Sequence, residues 1–141
     1  MSNSKATARW EGTLKEGHGT MKPAHAADVN YSLGTRFAGE PGSNPEEMIG
    51  AALAGCFSMA LSASLGKAGL TPRVVNTSAE VRLEKDGEGF RIASIALTTT
   101  ADVPDVDRAR FEGIADETKK NCPVSKALAG TSITLNATLV S

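Results

Sequence analysis

Two cysteines, Cys56 and Cys122, carry the most distinctive chemistry of this chain. They lie 66 residues apart, with no CxxC pair and no Cys/His cluster, which argues against a zinc site and against a disulfide framework. Two interpretations stay open at this point. Either both thiols are buried and inert, or they form a redox pair in which one sulfur becomes a sulfenic acid and the other condenses with it.

The positions of the two cysteines would control how each ionises. Cys56 lies in the middle of a charge-free run from Met48 to Gly66, and apolar surroundings disfavour a thiolate unless a cation is brought close. Cys122 lies between a predicted helix and a predicted helical turn over Val124 to Ala129. The first N–H groups of such a turn favour a thiolate.

Arg36 and Glu46 are the charged residues best placed to assist a cysteine. Arg36 stands in a Gly/Pro segment, TRFAGEPGS, and Glu46 stands at the start of the helix that carries Cys56. A guanidinium stabilises a thiolate, and a carboxylate can hold that guanidinium by a bidentate grip. The alternative is that Arg36 is a solvated loop residue and that Glu46 is a first-turn glutamate whose negative charge interacts favourably with the helix dipole.

One long helix must position Cys56. Asn44 is a good N-cap, Pro45 suits the first helical position, and Gly69 follows the last helical residues, so the sequence predicts a helix over about Pro45 to Ala68. The charge-free run within it is as long as a membrane span, but more than half of its residues are Gly, Ala or Ser. A helix without a polar face is typically enclosed by protein on all sides.

The remaining elements predict one α+β domain over residues 1–141, with an antiparallel sheet, a long buried central helix and a second helix. The predicted order is βββ-α-ββ-α-β, with a hairpin around Asp86-Gly87 and a second helix from Asp105-Val106-Asp107 to about Asn121. One such protomer offers too little cover for the long helix. We therefore expect a homodimer.

Composition excludes several classes of function. Lys and Arg number 15 and Asp and Glu number 16, so the net charge is -1. The chain therefore lacks the excess of basic residues that attracts nucleic acid or an anionic membrane. The start of the chain, MSNSKATARWEG, has no apolar stretch behind a basic segment, and we expect a cytoplasmic protein.

Two stretches around the cysteines resemble one family. TRFAGEPGSNPEEMIGAALAGCFSMALS and NCPVSKAL, together with WEGTLKEGHGT near the start, resemble the osmotically inducible protein C and organic hydroperoxide resistance family, and the TRF segment resembles its OsmC-like branch. The resemblance implies a thiol-dependent peroxidase that reduces organic hydroperoxides, and hydrogen peroxide less well. It also implies an intertwined homodimer that needs no metal, haem or flavin.

The resemblance also implies a role for each candidate residue. Cys56 is then the peroxidatic cysteine, Cys122 the resolving cysteine, Arg36 the thiolate-activating arginine and Glu46 its carboxylate partner. The oxidised pair would be reduced by an external dithiol of lipoyl type, and apolar neighbours of Cys56, Phe57 and Met59, would suit a hydrocarbon tail on the substrate. The alternative is a non-enzymatic dimer, structural or binding a small apolar ligand, with idle cysteines.

Helix geometry sets a limit on how these residues meet. Glu46 and Cys56 are ten residues apart, about 15 Å along one helix axis at 1.5 Å per residue. We therefore expect the long helices of two protomers to pack through Gly50, Ala54 and neighbouring small residues, so that Glu46, Arg36 or both act on the partner's Cys56.

Overall fold

The computed structural model describes residues 1–140, which form six strands in two three-stranded sheets and four helices. The predicted α+β class is confirmed, but the structure has two sheets where one was predicted. Backbone contacts divide the chain into two compact units, Met1–Met48 and the remainder from Ile49.

The first unit contains the predicted three-stranded meander. Its strands are β1 (Ala6–Glu11), β2 (His18–Pro23) and β3 (Val29–Tyr31), and both pairings are antiparallel. β2 begins only at His18, because Thr13 to Gly17 form a turn closed by a 2.7 Å hydrogen bond from the Gly17 N–H to the Thr13 carbonyl.

A short helix, α1 (Leu33–Phe37), follows β3 and contains Arg36. The prediction of a loop at Arg36 was therefore wrong. Ser32 and Thr35 form a capping box: the Ser32 side chain accepts from the Thr35 N–H, and the Thr35 side chain accepts from the Ser32 N–H. This reciprocal pair fixes the helical turn that places Arg36.

The long helix α2 (Pro45–Lys67) ends one residue before the predicted boundary. The Asn44 side chain accepts a 2.8 Å hydrogen bond from the Glu47 N–H, as an N-cap should, and Gly69 takes a positive φ of 80° beyond the end. The local signals at both ends therefore defined this helix correctly.

The second unit is a sheet covered by helices. Its sheet consists of β4 (Val74–Asp86), β5 (Gly89–Asp102) and β6 (Ser132–Leu139), and the helices α3 (Arg108–Asn121) and α4 (Pro123–Ala127) lie between β5 and β6 in the chain. β4 and β5 form the predicted hairpin through a two-residue loop at Gly87.

β6 pairs with β5 in parallel, from Ser94 opposite Ser132 to Ala101 opposite Leu139. The expectation of a purely antiparallel sheet was wrong for this strand. An alternating pattern such as SITLNATLV shows that one face of a strand is buried and leaves its direction open. A parallel pairing needs a long crossover, and α3 with α4 supplies it.

One face of α2 forms the centre of the core. Leu53, Phe57, Leu61 and Leu65 recur every four residues, and each is 0% exposed. They belong to a buried cluster with residues of β5 and α3, namely Ile95, Leu97, Ala101, Phe111 and Ala115. This apolar face of α2 is thus buried against the sheet and α3, as is typical of a core helix in a globular domain.

The opposite face of α2 is apolar or small and is uncovered in the single chain. Met59 is 78% exposed, and its exposed neighbours are Ala51, Ala52, Gly55, Ser62, Ala63 and Gly66. Gly50 lies elsewhere: a Cβ there would meet Val81 at 3.2 Å and Ala79 at 3.5 Å, both on β4. The expectation that Gly50 contacts a second helix was therefore wrong.

By length and composition, α2 also meets the criteria for a membrane span, with a mean hydropathy of 1.7 over its most apolar window and 28% of that window buried. The large apolar side chains that would face lipid, such as Leu53 and Phe57, are instead packed in the protein core. Length and composition alone are weak grounds for a span, because the core helix of a globular protein has both.

Candidate active site

The fold brings the two cysteines into contact. Cys56 is half-buried in α2, Cys122 is 1% exposed between α3 and α4, and their Sγ atoms are 3.0 Å apart with both thiols reduced. The Cys122 N–H donates to the Thr118 carbonyl, and its own carbonyl accepts from the Lys126 N–H. Two helix ends thus hold Cys122 against α2, as the redox-pair interpretation requires.

The surroundings of the two cysteines shift their pKa values in opposite directions. Burial raises the pKa of the Cys56 thiol, the contact with Cys122 raises it further, and the Val124 N–H opposes both only in part. Burial acts in the same direction on Cys122, but Cys56, Ser125 and the Val124 N–H outweigh it, and the pKa of Cys122 is lowered.

Two thiols in contact share their protons, so the first proton lost belongs to the pair. Within this unit the thiolate is favoured at Cys122. Cys56 therefore needs a further positive charge if it is to be the attacking sulfur.

Arg36 and Glu46 form the second pair of candidate residues. Arg36 Nε donates to Glu46 Oε1 at 2.9 Å and to Oε2 at 3.2 Å, and Arg36 Nη2 also donates to Oε1. Glu46 is only 7% exposed, and the side chain of Arg36 retains about a third of its exposure. The interpretation of Arg36 as a solvated loop residue is excluded by this bidentate ion pair.

The ion pair holds the guanidinium in one orientation. A buried carboxylate is costly unless it is paired, and the planar fork of an arginine satisfies both carboxylate oxygens at once. Arg36 also lies over the Phe37 ring, with its Cζ 5.6 Å from the ring centroid. An arginine restrained in this way is prepared to meet an anion at little cost in conformational entropy.

Arg36 also lines an apolar cavity of about 270 Å³. The other walls come from β1 and the turn after it, from the end of β3 and the start of α1, and from the first residue of α2: Trp10, Leu14, Tyr31, Ser32, Leu33 and Pro45. This cavity was not predicted from the sequence, which instead pointed to Phe57 and Met59 as apolar neighbours for a hydrocarbon tail on the substrate. Phe57 is 0% exposed in the core and has no surface for a substrate, whereas Met59 is exposed on α2.

Known proteins place the chain in a family. Residues 38–137 match the family described as OsmC-like protein. The chain belongs to this OsmC-like family. The matched region contains Glu46, Cys56 and Cys122. Arg36 lies just before that region and is included in the candidate site because it contacts Glu46.

Curated relatives and solved structures agree with this assignment. The OsmC-like protein is 48% identical to "Peroxiredoxin OsmC" of Escherichia coli (strain K12) over 128 residues, covering 89% of this chain and 90% of that one. It is 31% identical to "Organic hydroperoxide resistance protein" of Xanthomonas axonopodis pv. citri over 94 residues, covering 66% and 64%.

The solved structure of organic hydroperoxide resistance protein OhrB of Bacillus subtilis is 28% identical, with a TM-score of 0.73 and 98% of each chain covered. An OsmC-like protein of Mycoplasma pneumoniae has the same fold, with a TM-score of 0.78, 18% identity and 99% of each chain covered.

The four predicted site residues of this OsmC-like protein therefore stand as two pairs, Arg36 with Glu46 and Cys56 with Cys122. Ser125 and Val124, which influence the cysteines, were not singled out from the sequence. Among the described residues, no group of three or more His, Cys, Asp and Glu side chains is arranged to hold a metal ion.

Proposed function

We propose that this protein is a thiol peroxidase that reduces organic hydroperoxides with Cys56 as the peroxidatic and Cys122 as the resolving cysteine. The observation that carries the proposal is the pair of reduced sulfurs 3.0 Å apart in a chain that has no other thiol. The names of the curated relatives, peroxiredoxin and organic hydroperoxide resistance protein, support the same reaction.

The reaction has two steps on the enzyme. The Cys56 thiolate attacks the terminal oxygen of the hydroperoxide, the O–O bond breaks, and an alcohol leaves after taking a proton, which gives a Cys56 sulfenic acid. The Cys122 thiolate then attacks the Cys56 sulfur, an S–S bond replaces the S–O bond, and the departing oxygen leaves as water.

An external dithiol completes the cycle. One of its thiolates attacks the disulfide to form a mixed disulfide between reductant and enzyme. The second thiol of the reductant then attacks this mixed disulfide, which releases the reduced enzyme and leaves the reductant with an intramolecular disulfide. We propose a dithiol of lipoyl type as this reductant, in the cytoplasm, where the glutathione and thioredoxin systems keep thiols reduced.

Arg36 supplies the positive charge that Cys56 lacks within its own unit. Ten residues of continuous helix separate Glu46 from Cys56, about 15 Å along the axis of α2, so one chain does not bring its own pairs together along that helix. We propose a homodimer in which Arg36, held by Glu46, acts on the partner's Cys56. Each site then needs two chains of a single OsmC-like domain.

The uncovered face of α2 supports this dimer. Its Ala, Gly and Ser residues, together with Met59, form an uncharged surface that a second helix can approach closely. Two copies of this surface, related by a two-fold axis, would bury one another. The small-residue contact lies on Ala51, Gly55, Met59 and their exposed neighbours rather than on Gly50.

The cavity beside Arg36 supports an organic substrate. Its walls are mostly apolar, and it places a hydrocarbon substituent next to the guanidinium that would steady the departing oxygen. Hydrogen peroxide has no such substituent and gains nothing from the cavity. The difference between the two peroxides should therefore appear in kcat/KM.

With a dithiol in excess, we expect kcat/KM to be higher for cumene hydroperoxide than for hydrogen peroxide. Leu14→Asn, at the exposed rim of the cavity, should lower kcat/KM for cumene hydroperoxide and leave hydrogen peroxide reduction unchanged. Stopped-flow peroxide consumption measures both. Equal rates for the two peroxides in the unaltered protein would contradict the assignment of organic hydroperoxides as the substrate class.

A further inference from the structure

Ser125 has the one fully buried side-chain oxygen or nitrogen without a hydrogen-bond partner in residues 1–140. The residue is 6% exposed and lies in α4, three positions after Cys122. A buried hydroxyl left unpaired costs free energy, and most proteins satisfy such groups. Its persistence here calls for a state of the protein in which the hydroxyl does have a partner.

The position of Ser125 in α4 identifies that partner, because Ser125 is the third residue of the helix and a side chain there can reach back to the capping residue, Cys122. Cys122 is the residue that precedes α4, and its neutral thiol forms no side-chain hydrogen bond that caps the helix. The Ser125 hydroxyl and backbone N–H, and the Val124 N–H, all influence Cys122, and each lowers its pKa. A neutral thiol is a weak acceptor, whereas a thiolate is a strong one. The hydroxyl therefore gains its partner when Cys122 loses its proton.

We propose that the Ser125 hydroxyl donates a hydrogen bond to the Cys122 thiolate during thiol–disulfide exchange and is a further catalytic residue of this protein. The inference rests on the proposed peroxidase function. It assigns Ser125 to the second half of the cycle, since Cys56 and not Cys122 meets the peroxide.

The hydroxyl acts at two points of the cycle. When Cys122 attacks the Cys56 sulfenic acid, Ser125 raises the fraction of Cys122 present as thiolate; the S–S bond forms, the S–O bond breaks and water leaves. When the external dithiol attacks the Cys56 sulfur of the disulfide, Cys122 departs as thiolate with both electrons of the S–S bond. Ser125 then stabilises this leaving group, and a better leaving group departs faster.

Ser125→Ala removes the hydroxyl and leaves the helix intact. A hydrogen bond to a charged group shifts an equilibrium about tenfold or more, and the higher nucleophilicity of a more basic thiolate recovers part of that loss. We therefore expect disulfide closure after one equivalent of cumene hydroperoxide to slow roughly threefold to tenfold. Consumption of that first equivalent should keep its rate, and the longer-lived sulfenic acid should over-oxidise more readily in excess peroxide.

A single-thiol background separates this inference from the proposed function. In Cys56→Ser protein, Cys122 is the only thiol, and its pKa can be followed by the ultraviolet absorbance of the thiolate. Adding Ser125→Ala should raise that pKa, whether or not the protein reduces peroxide. An unchanged pKa for Cys122 would overturn the inference and leave the peroxidase proposal standing.

Ser58→Ala is the matched control for stability. The Ser58 hydroxyl is partnered: its oxygen lies 2.8 Å from the Ala54 carbonyl and 2.7 Å from Thr77 Oγ1. Ser58→Ala should therefore lower the thermal unfolding midpoint, whereas Ser125→Ala should leave it unchanged or raise it. A fall with Ser125→Ala as large as that of the control would show a structural partner for Ser125 in the reduced protein and would overturn the inference.

Discussion

Replacing Cys56 with serine is expected to abolish hydroperoxide reduction, down to the rate of the uncatalysed reaction. A serine hydroxyl is not ionised near neutral pH and does not form the sulfenic acid that the cycle needs. Cys122→Ser should behave differently, because Cys56 remains able to attack. That variant should consume one equivalent of cumene hydroperoxide at an undiminished rate and then stop, with a sulfenic acid at Cys56 that a dimedone-type reagent labels.

The comparison of these two variants decides the order of the cysteines. Within the unit that contains both thiols, the lowered pKa belongs to Cys122, so local electrostatics alone would name Cys122 as the attacker. If Cys122→Ser protein failed to consume even the first equivalent, while Cys56→Ser protein consumed it, the assignment would be reversed.

Two inactive variants are expected to restore activity when they are unfolded and refolded together. Cys56→Ser lacks the nucleophile, and Glu46→Ala lacks the carboxylate that holds Arg36. If Arg36 and Glu46 act on the partner's Cys56, a heterodimer of the two contains one intact site. Because about half of the dimers formed at random are heterodimers, specific activity should recover to about one quarter of that of the unaltered protein.

A second mixture provides the control. The double variant Cys56→Ser/Glu46→Ala refolded with Cys56→Ser contains no intact site in any arrangement, and it should stay inactive. Stopped-flow consumption of cumene hydroperoxide measures all mixtures. If proven heterodimers of Cys56→Ser and Glu46→Ala showed no recovery, each site would lie within one chain.

Local signals in the sequence predicted what local interactions determine. The ends of α2 follow from Asn44, Pro45 and Gly69, whose effects reach only a turn or two along the chain. The helix α1 was missed although its capping box is also local, because the glycines and prolines around Arg36 suggested a loop more strongly than Ser32 and Thr35 suggested a helix.

Long-range contacts were beyond the reach of the sequence pattern. Nothing in 66 residues of separation shows that Cys56 and Cys122 meet, since that contact depends on how α3 and α4 return the chain to the sheet. For the same reason the parallel direction of β6 and the burial of Gly50 against β4 were not predicted. The role of Ser125 could not be predicted from its neighbours in the sequence, because only the three-dimensional structure shows that its hydroxyl is buried and unpaired.

Counting free thiols before and after one equivalent of cumene hydroperoxide distinguishes a redox-active cysteine pair from idle cysteines. Two thiols per chain should disappear, no covalent dimer should form on a non-reducing gel, and a dithiol should restore both thiols. Mass spectrometry of the digested protein should then find Cys56 joined to Cys122. Retention of both thiols after addition of the peroxide would contradict a thiol peroxidase mechanism and leave the cysteines as idle residues of a non-enzymatic protein.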